Sequence, residues 1–213
     1  MIKTIKIATL FQLILIFNLC HSQEINMNKD VKDIVKLGKD SIAQLALKLI
    51  DREVAIENFA KIKVKTDGRE VYVSFRNPIK YLPIESEFYF DLNVNLLEGI
   101  IVYNPVSNGL VDCKKKTIPF YKQTREAQAS IEFVIKAINK NDEVGGISDI
   151  SSFEDDMVIR EHKSYYDVSV VSEFQESFYK IKKVSGKVYD VEHAHLVPPP
   201  IESENNSVLK EIN

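Results

Sequence analysis

The chain shows its organisation most plainly in YYDVSVVSEFQESFYKIKKVSGKVYDVEHAHLV, residues 165–197. Three strand-like runs follow one another there: YYDVSVVSEF, SFYKIKKV and GKVYDVEHAHLV. Ser185-Gly186 turns the second run into the third, and Pro198-Pro199-Pro200 ends the series. Two runs carry an aromatic pair, Tyr165-Tyr166 and Phe178-Tyr179. Neighbouring side chains of a strand point to opposite faces, so one member of each pair belongs to a core and the other faces outward.

Upstream, MVIREHK (157–163) reads as a further strand. Before it a helix begins near Thr124, with Ala127, Ile131, Val134, Ile135 and Ile138 on one face and Gly145-Gly146 beyond its end. The first half repeats this order. Asp30 opens a helical pattern through Val31, Ile34, Val35, Ile42, Leu45, Ala46 and Leu49. Gly38 falls on the same face and leaves two arrangements open: one helix, or two with Asp40-Ser41 capping the second. AKIKVKT and REVYVSF are strands joined at Asp67-Gly68. NPIKYLPI (77–84) holds two prolines and reads as a loop or broken edge. SEFYFDLNVNLLEGIIVYNPV (86–106) reads as two strands turning near Leu97-Glu98-Gly99.

The expected fold class is therefore α+β. Two tandem units each pack one helix on an antiparallel sheet of three to four strands, because a helix and a sheet each have one apolar side to cover. The units span residues 23–106 and 124–197, with a linker at 107–123 and a polar, disordered tail at 198–213.

Residues 1–22 form a basic start, a short apolar run from Ile7 to Leu19, and small residues at Cys20-His21-Ser22. This is the three-part pattern of a secretory signal, and it is too short to span a bilayer. We expect export to the periplasm or medium, with no transmembrane segment in the mature chain. Cys20 offers a lesser alternative, a lipid anchor, against which Leu19 stands as a poor residue before an acylated cysteine. Residues 1–22 carry Lys3 and Lys6 and no acid, so the net charge of −3 becomes −5 on cleavage. That mild acidity argues against a nucleic-acid partner. Cleavage would leave Cys113 as the one cysteine, so no intramolecular disulfide forms. Lys114, Lys115 and Lys116 would lower its thiol pKa, yet no motif supplies a partner base. We read it as a linker residue, free or paired between chains.

In Tyr179, Ile181, Gly186 and Val188, the second half resembles the PepSY and PepSY-like domains of exported bacterial proteins, over residues 124–197. It is similar more loosely to other cystatin-like rolls, including tandem-repeat inhibitors and immunity proteins. The resemblance implies a helix packed on a small antiparallel sheet, and binding or inhibition rather than catalysis.

The residues point the same way. The chain lacks a nucleophile elbow, a phosphate-cradling glycine loop, a His-Glu-x-x-His pair and a paired-cysteine motif. We expect no catalytic residue and no cofactor. His193 and His195, two apart on a strand, share a face and are the only metal candidates; a site wants three or four protein ligands. Glu154-Asp155-Asp156 reads as a solvated turn. The interface candidates are Tyr81, Leu82, Tyr89, Tyr166 and Tyr179, since exposed tyrosines often anchor contacts. The reading is an exported, non-enzymatic module that binds another protein, as an inhibitor or immunity-type factor. The alternative is a ligand-binding or enzymatic roll with a pocket on the concave sheet face, where Asp91, Asp167 or His162 would line a cavity.

Overall fold

The computed structural model describes residues 30–50, 52–109, 118–141, 156–172, 175–196 and 209–212. The expected export signal with Cys20, the cysteine at 113, Gly145-Gly146 and the acids Glu154 and Asp155 lie outside them.

Local chemistry sets the helix ends. Asp30 caps helix α1 (Val31–Val35), accepting from the Lys32 N–H at 3.3 Å. Gly38, at φ +76°, separates α1 from α2 (Lys39–Leu47), a backbone state that strains residues bearing a β-carbon. The glycine thus decides for two helices. Thr124 caps α3 (Arg125–Asn139) by accepting from the Ala127 N–H at 3.1 Å.

The strands are β1 (Lys61–Thr66), β2 (Val71–Arg76), β3 (Ile79–Leu82), β4 (Glu87–Asn95), β5 (Ile100–Ser107), β6 (Asp156–Glu161), β7 (Tyr165–Val171), β8 (Gln175–Lys182), β9 (Val188–His195) and β10 (Lys210–Glu211). They form two five-stranded sheets, ordered β10-β1-β2-β4-β5 and β3-β6-β7-β8-β9. The expected α+β fold of two helix-on-sheet units, each with three to four antiparallel strands, is overturned. The described chain is mostly β, with ten strands in two sheets and three α-helices.

Each sheet takes its fifth strand from outside its own half. β3 leaves the first half and runs parallel to β6, with Ile79 opposite Met157 and Leu82 opposite Arg160. β10 comes from the stretch expected to be a disordered tail. It pairs antiparallel with β1, Glu211 opposite Lys65, and buries Ile212 beside it. The prolines that made NPIKYLPI read as a loop bracket β3 instead of interrupting it. Pro78 precedes the strand, its carbonyl accepting from the Met157 N–H at 2.7 Å, and Pro83 follows it. A missing N–H is tolerated at the end of an edge strand.

Two apolar clusters result. One joins α1 and α2 to the first sheet through Ile42, Ala46, Val64, Val73 and Phe75. The other joins α3 to the second through Leu82, Ile131, Met157, Ile159 and Tyr179. β4 serves both: Phe88 and Phe90 enter the α3 cluster, Leu92 and Val94 the other. Phe90 is an inserted residue, because Tyr89 pairs with Pro105 and Asp91 with Asn104. One extra residue turns everything beyond it to the other face. The pairs Phe88–Val106 and Leu92–Tyr103, in one ladder, therefore serve different cores.

The former linker ends at the same place. The Tyr89 N–H donates to Pro119 O at 2.9 Å and the Tyr121 N–H to Tyr89 O at 3.0 Å. Phe120 and Tyr121, adjacent on extended backbone, then enter different clusters. The joint also carries charge. Lys80, 4 % exposed, sets its Nζ 3.0 Å from Asp91 Oδ2 and 3.1 Å from Asp156 Oδ1. Asp156 in turn meets Arg76 at 2.7 Å.

Candidate functional site

Helix α3 covers one face of the second sheet. Tyr166, Val168 and Val170 of β7, with Tyr179 and Ile181 of β8, point toward its cluster. The residues between them point away, and the register brings them together. Arg160 lies opposite Asp167, Asp167 opposite Lys180, Ser169 opposite Phe178, Lys180 opposite Asp190 and Phe178 opposite Glu192. Ser169 is short and its neighbours are long, so the open face dips there. The hollow measures about 320 Å³ and is lined by Arg160, Asp167, Ser169, Phe178, Lys180 and Glu192, among others.

Charges of both signs surround it. Lys180 Nζ lies 2.7 Å from Asp190 Oδ2, and that hydrogen bond, with the carboxylate charge, raises the lysine above its ordinary pKa. His162 Nε2 lies 3.1 Å from Asp167 Oδ2, and its ring stacks on Tyr165 at 4.4 Å. Phe178 is 40 % exposed and Tyr189 43 %, with the Lys182 ammonium 5.5 Å from the Tyr189 ring centre. An exposed ring among paired charges can shield an apolar contact while the charges set its orientation.

The sequence-derived interface candidates do not make this surface. Tyr81, Leu82, Tyr166 and Tyr179 are buried, at 6, 0, 7 and 2 % exposure. Tyr89 is half-buried between Tyr103 and Phe120, beneath the Arg52 guanidinium at 5.0 Å. In each aromatic pair the outward member is the other one, Tyr165 or Phe178. The signal was present: Tyr166 is in phase with Val168 and Val170, and Tyr179 with Ile181.

Tyr81 has a different role. Its hydroxyl donates to Glu161 Oε2 at 2.5 Å, and Lys183 Nζ lies 2.5 Å from the other carboxylate oxygen. Burial, then the Glu161 bond, pushes the Tyr81 phenol up. Burial also pushes Glu161 up, but the bonds from Lys183 and Tyr81 outweigh it and hold the carboxyl below its usual range. The cluster ties β3 to β6 and to the β8–β9 turn.

His193 Nδ1 lies 2.9 Å from both Gln175 Nε2 and Ser177 Oγ. Among the described residues no three His, Cys, Asp or Glu side chains come together to hold a metal. Asp91 is taken up by Lys80 and by the Asn77 N–H at 2.8 Å. No helix of the described residues is long and apolar enough to cross a membrane.

Compared with known proteins, the chain matches no family model, no curated protein and no solved structure. The likeness of residues 124–197 to PepSY-like domains thus rests on the residues alone.

Proposed function

We propose that the chain is an exported, non-enzymatic protein-binding module, of the inhibitor or immunity type, that meets its partner through the open face of the second sheet. The observation that supports this reading is the set Phe178, Tyr165, Arg160, Lys180 and Glu192 on a face that α3 leaves open. Aromatic and arginine side chains around a dip are the usual anchors of protein contacts. A photo-crosslinking residue at Phe178, in the exported chain expressed by its own host, should give one discrete adduct. The same residue at Val102, 50 % exposed on the first sheet, should give none. Equal labelling from both positions, or none from Phe178, would remove the assignment.

One observation favours a second reading, a small-ligand or enzymatic pocket on the sheet face: Asp167 lines the hollow together with Arg160 and Lys180. Saturation-transfer NMR with a fragment library separates the two. A fragment bound by the native chain and lost in Arg160→Gln would favour the pocket over the protein contact.

A further inference from the structure

A sheet ends in strands whose outer N–H and C=O groups have no ladder to join, and another chain can pair there. The two sheets of the described residues end at β10, β5, β3 and β9. Three of these edges are blunted. β10 is two residues long. β3 is four residues long, with Pro78 before it and Pro83 after it. β5 carries Pro105, which has no N–H, where β4 bulges opposite it. β9 differs from all three. It runs for eight residues, Val188–His195, and holds neither proline nor lysine. Its one irregularity falls at its start, between the pairings of Ile181 and Lys180, and from Asp190 to His195 the ladder is continuous. Along that stretch alternate residues turn their N–H and C=O outward. Among the described residues no hydrogen bond reaches those groups.

The side chains of β9 show what would lie beside it. On the side that α3 covers, Tyr179 is 2 % exposed, whereas Val191, opposite it on β9, is 36 % exposed. The apolar row thus stops one strand short of cover. On the open side lie Asp190 and Glu192, with Glu176 across from Ala194. Lys180 answers Asp190, while Glu192 and Glu176 have no ion pair among the described residues. Ala194 is short enough for a long side chain from beyond β9 to pass over it to Glu176. A second copy of the chain fits badly. Antiparallel pairing of β9 with its twin, centred on Val191 or on Glu192, sets Asp190 against Glu192 or Glu192 against Glu192, and like charges directly opposite are destabilising.

We propose that β9 takes up, as an added outer strand, an extended segment of a partner protein in which lysine or arginine alternates with an apolar residue. This rests on the reading of the second sheet's open face as a protein contact, and it supplies the mode of contact and the partner's chemistry. The basic side chains lie on the open face against Glu192 and Glu176. The apolar ones continue the row that ends at Val191. Main-chain bonds hold the segment and the alternation fixes its phase, because a slip of one residue exchanges the two faces.

The probe is the peptide acetyl-Val-Lys-Val-Lys-Val-Lys-Val-amide, titrated into the full chain and followed by NMR. Binding should shift the β9 amides and slow their exchange with solvent. N-methylation of the central Lys-Val-Lys amides should weaken binding at least roughly ten-fold by removing main-chain bonds. Glu192→Gln should weaken it about two- to five-fold, the effect of one exposed ion pair. No binding at millimolar peptide would overturn the proposal. Equal binding of the N-methylated peptide, or of the same residues in separate Val and Lys blocks, would also overturn it, since charge alone would then explain the contact. Amides of β9 already protected before peptide is added would do the same, because the edge would then be covered within the chain or by a second copy. An adduct from the crosslinker at Phe178 without peptide binding would sink the edge pairing alone and leave the open-face contact standing.

Discussion

Replacing Leu82 with alanine tests the crossover of β3 directly. Leu82 is 0 % exposed, at the end of a four-residue strand that joins the other half's sheet. Three lost carbons at about 0.8 kcal/mol each give roughly 2.4 kcal/mol of transfer free energy. The cavity left behind raises the expected loss to about 3–5 kcal/mol. For a body of this size, each kcal/mol lowers the melting temperature by about 2–4 °C, so the fall should be roughly 6–20 °C. Ile84 supplies the control. It lies two residues on and is 52 % exposed, so Ile84→Ala should stay within about 0.5 kcal/mol of the native chain. The assay is urea unfolding followed by circular dichroism and by tyrosine fluorescence, since the chain has nine Tyr and no Trp. A loss below about 1 kcal/mol for Leu82→Ala, or equal losses for the two variants, would refute the placement of residues 79–82 in the second sheet.

Three further outcomes follow from the same geometry. Lys80→Met should cost about 3–5 kcal/mol, because it strands Asp91 as an uncompensated buried charge, and Lys80→Met with Asp91→Asn should recover much of it in the same unfolding assay. Thr124→Ala should cost about 1 kcal/mol by removing the α3 cap, read from the urea midpoint. Glu161 is held below its ordinary value of 4.5 in the folded protein, so its stabilisation is complete above that value and fades as pH falls through the lower folded pKa. Glu161→Gln should therefore be less stable than the native chain at neutral pH, and the gap should close as unfolding is measured at successively lower pH.

The legible parts were those that a few adjacent residues decide. The caps at Asp30 and Thr124, the hairpin at Asp67-Gly68 and the turn at Gly186 each follow from the backbone needs of one short segment. The strand periods of YYDVSV and SFYKIK were equally local, and they already marked Tyr166 and Tyr179 as inward-facing. Reading those tyrosines as contact residues set aside the phase of their neighbours. The hollow over Ser169 was less legible. It depends on three ladders aligning Arg160, Asp167, Phe178 and Glu192, residues far apart in the chain.

By itself the sequence determined the ends of those helices and strands that a cap, a positive-φ glycine or side-chain alternation marks, because these act over a few residues. Tertiary structure alone decided which strands distant in the chain join each sheet. Ile79-Lys80-Tyr81-Leu82 between two prolines has the same local character in a loop as in an edge strand; the parallel ladder to β6 and the cover over Leu82 make the difference. The tail strand at Lys210–Glu211 and the inserted Phe90 are of the same kind. Their reward is apolar burial against residues distant in sequence, and no local rule reports what will lie across the core. The two sheets close on each other's strands because burial does not depend on which half of the chain supplies the surface.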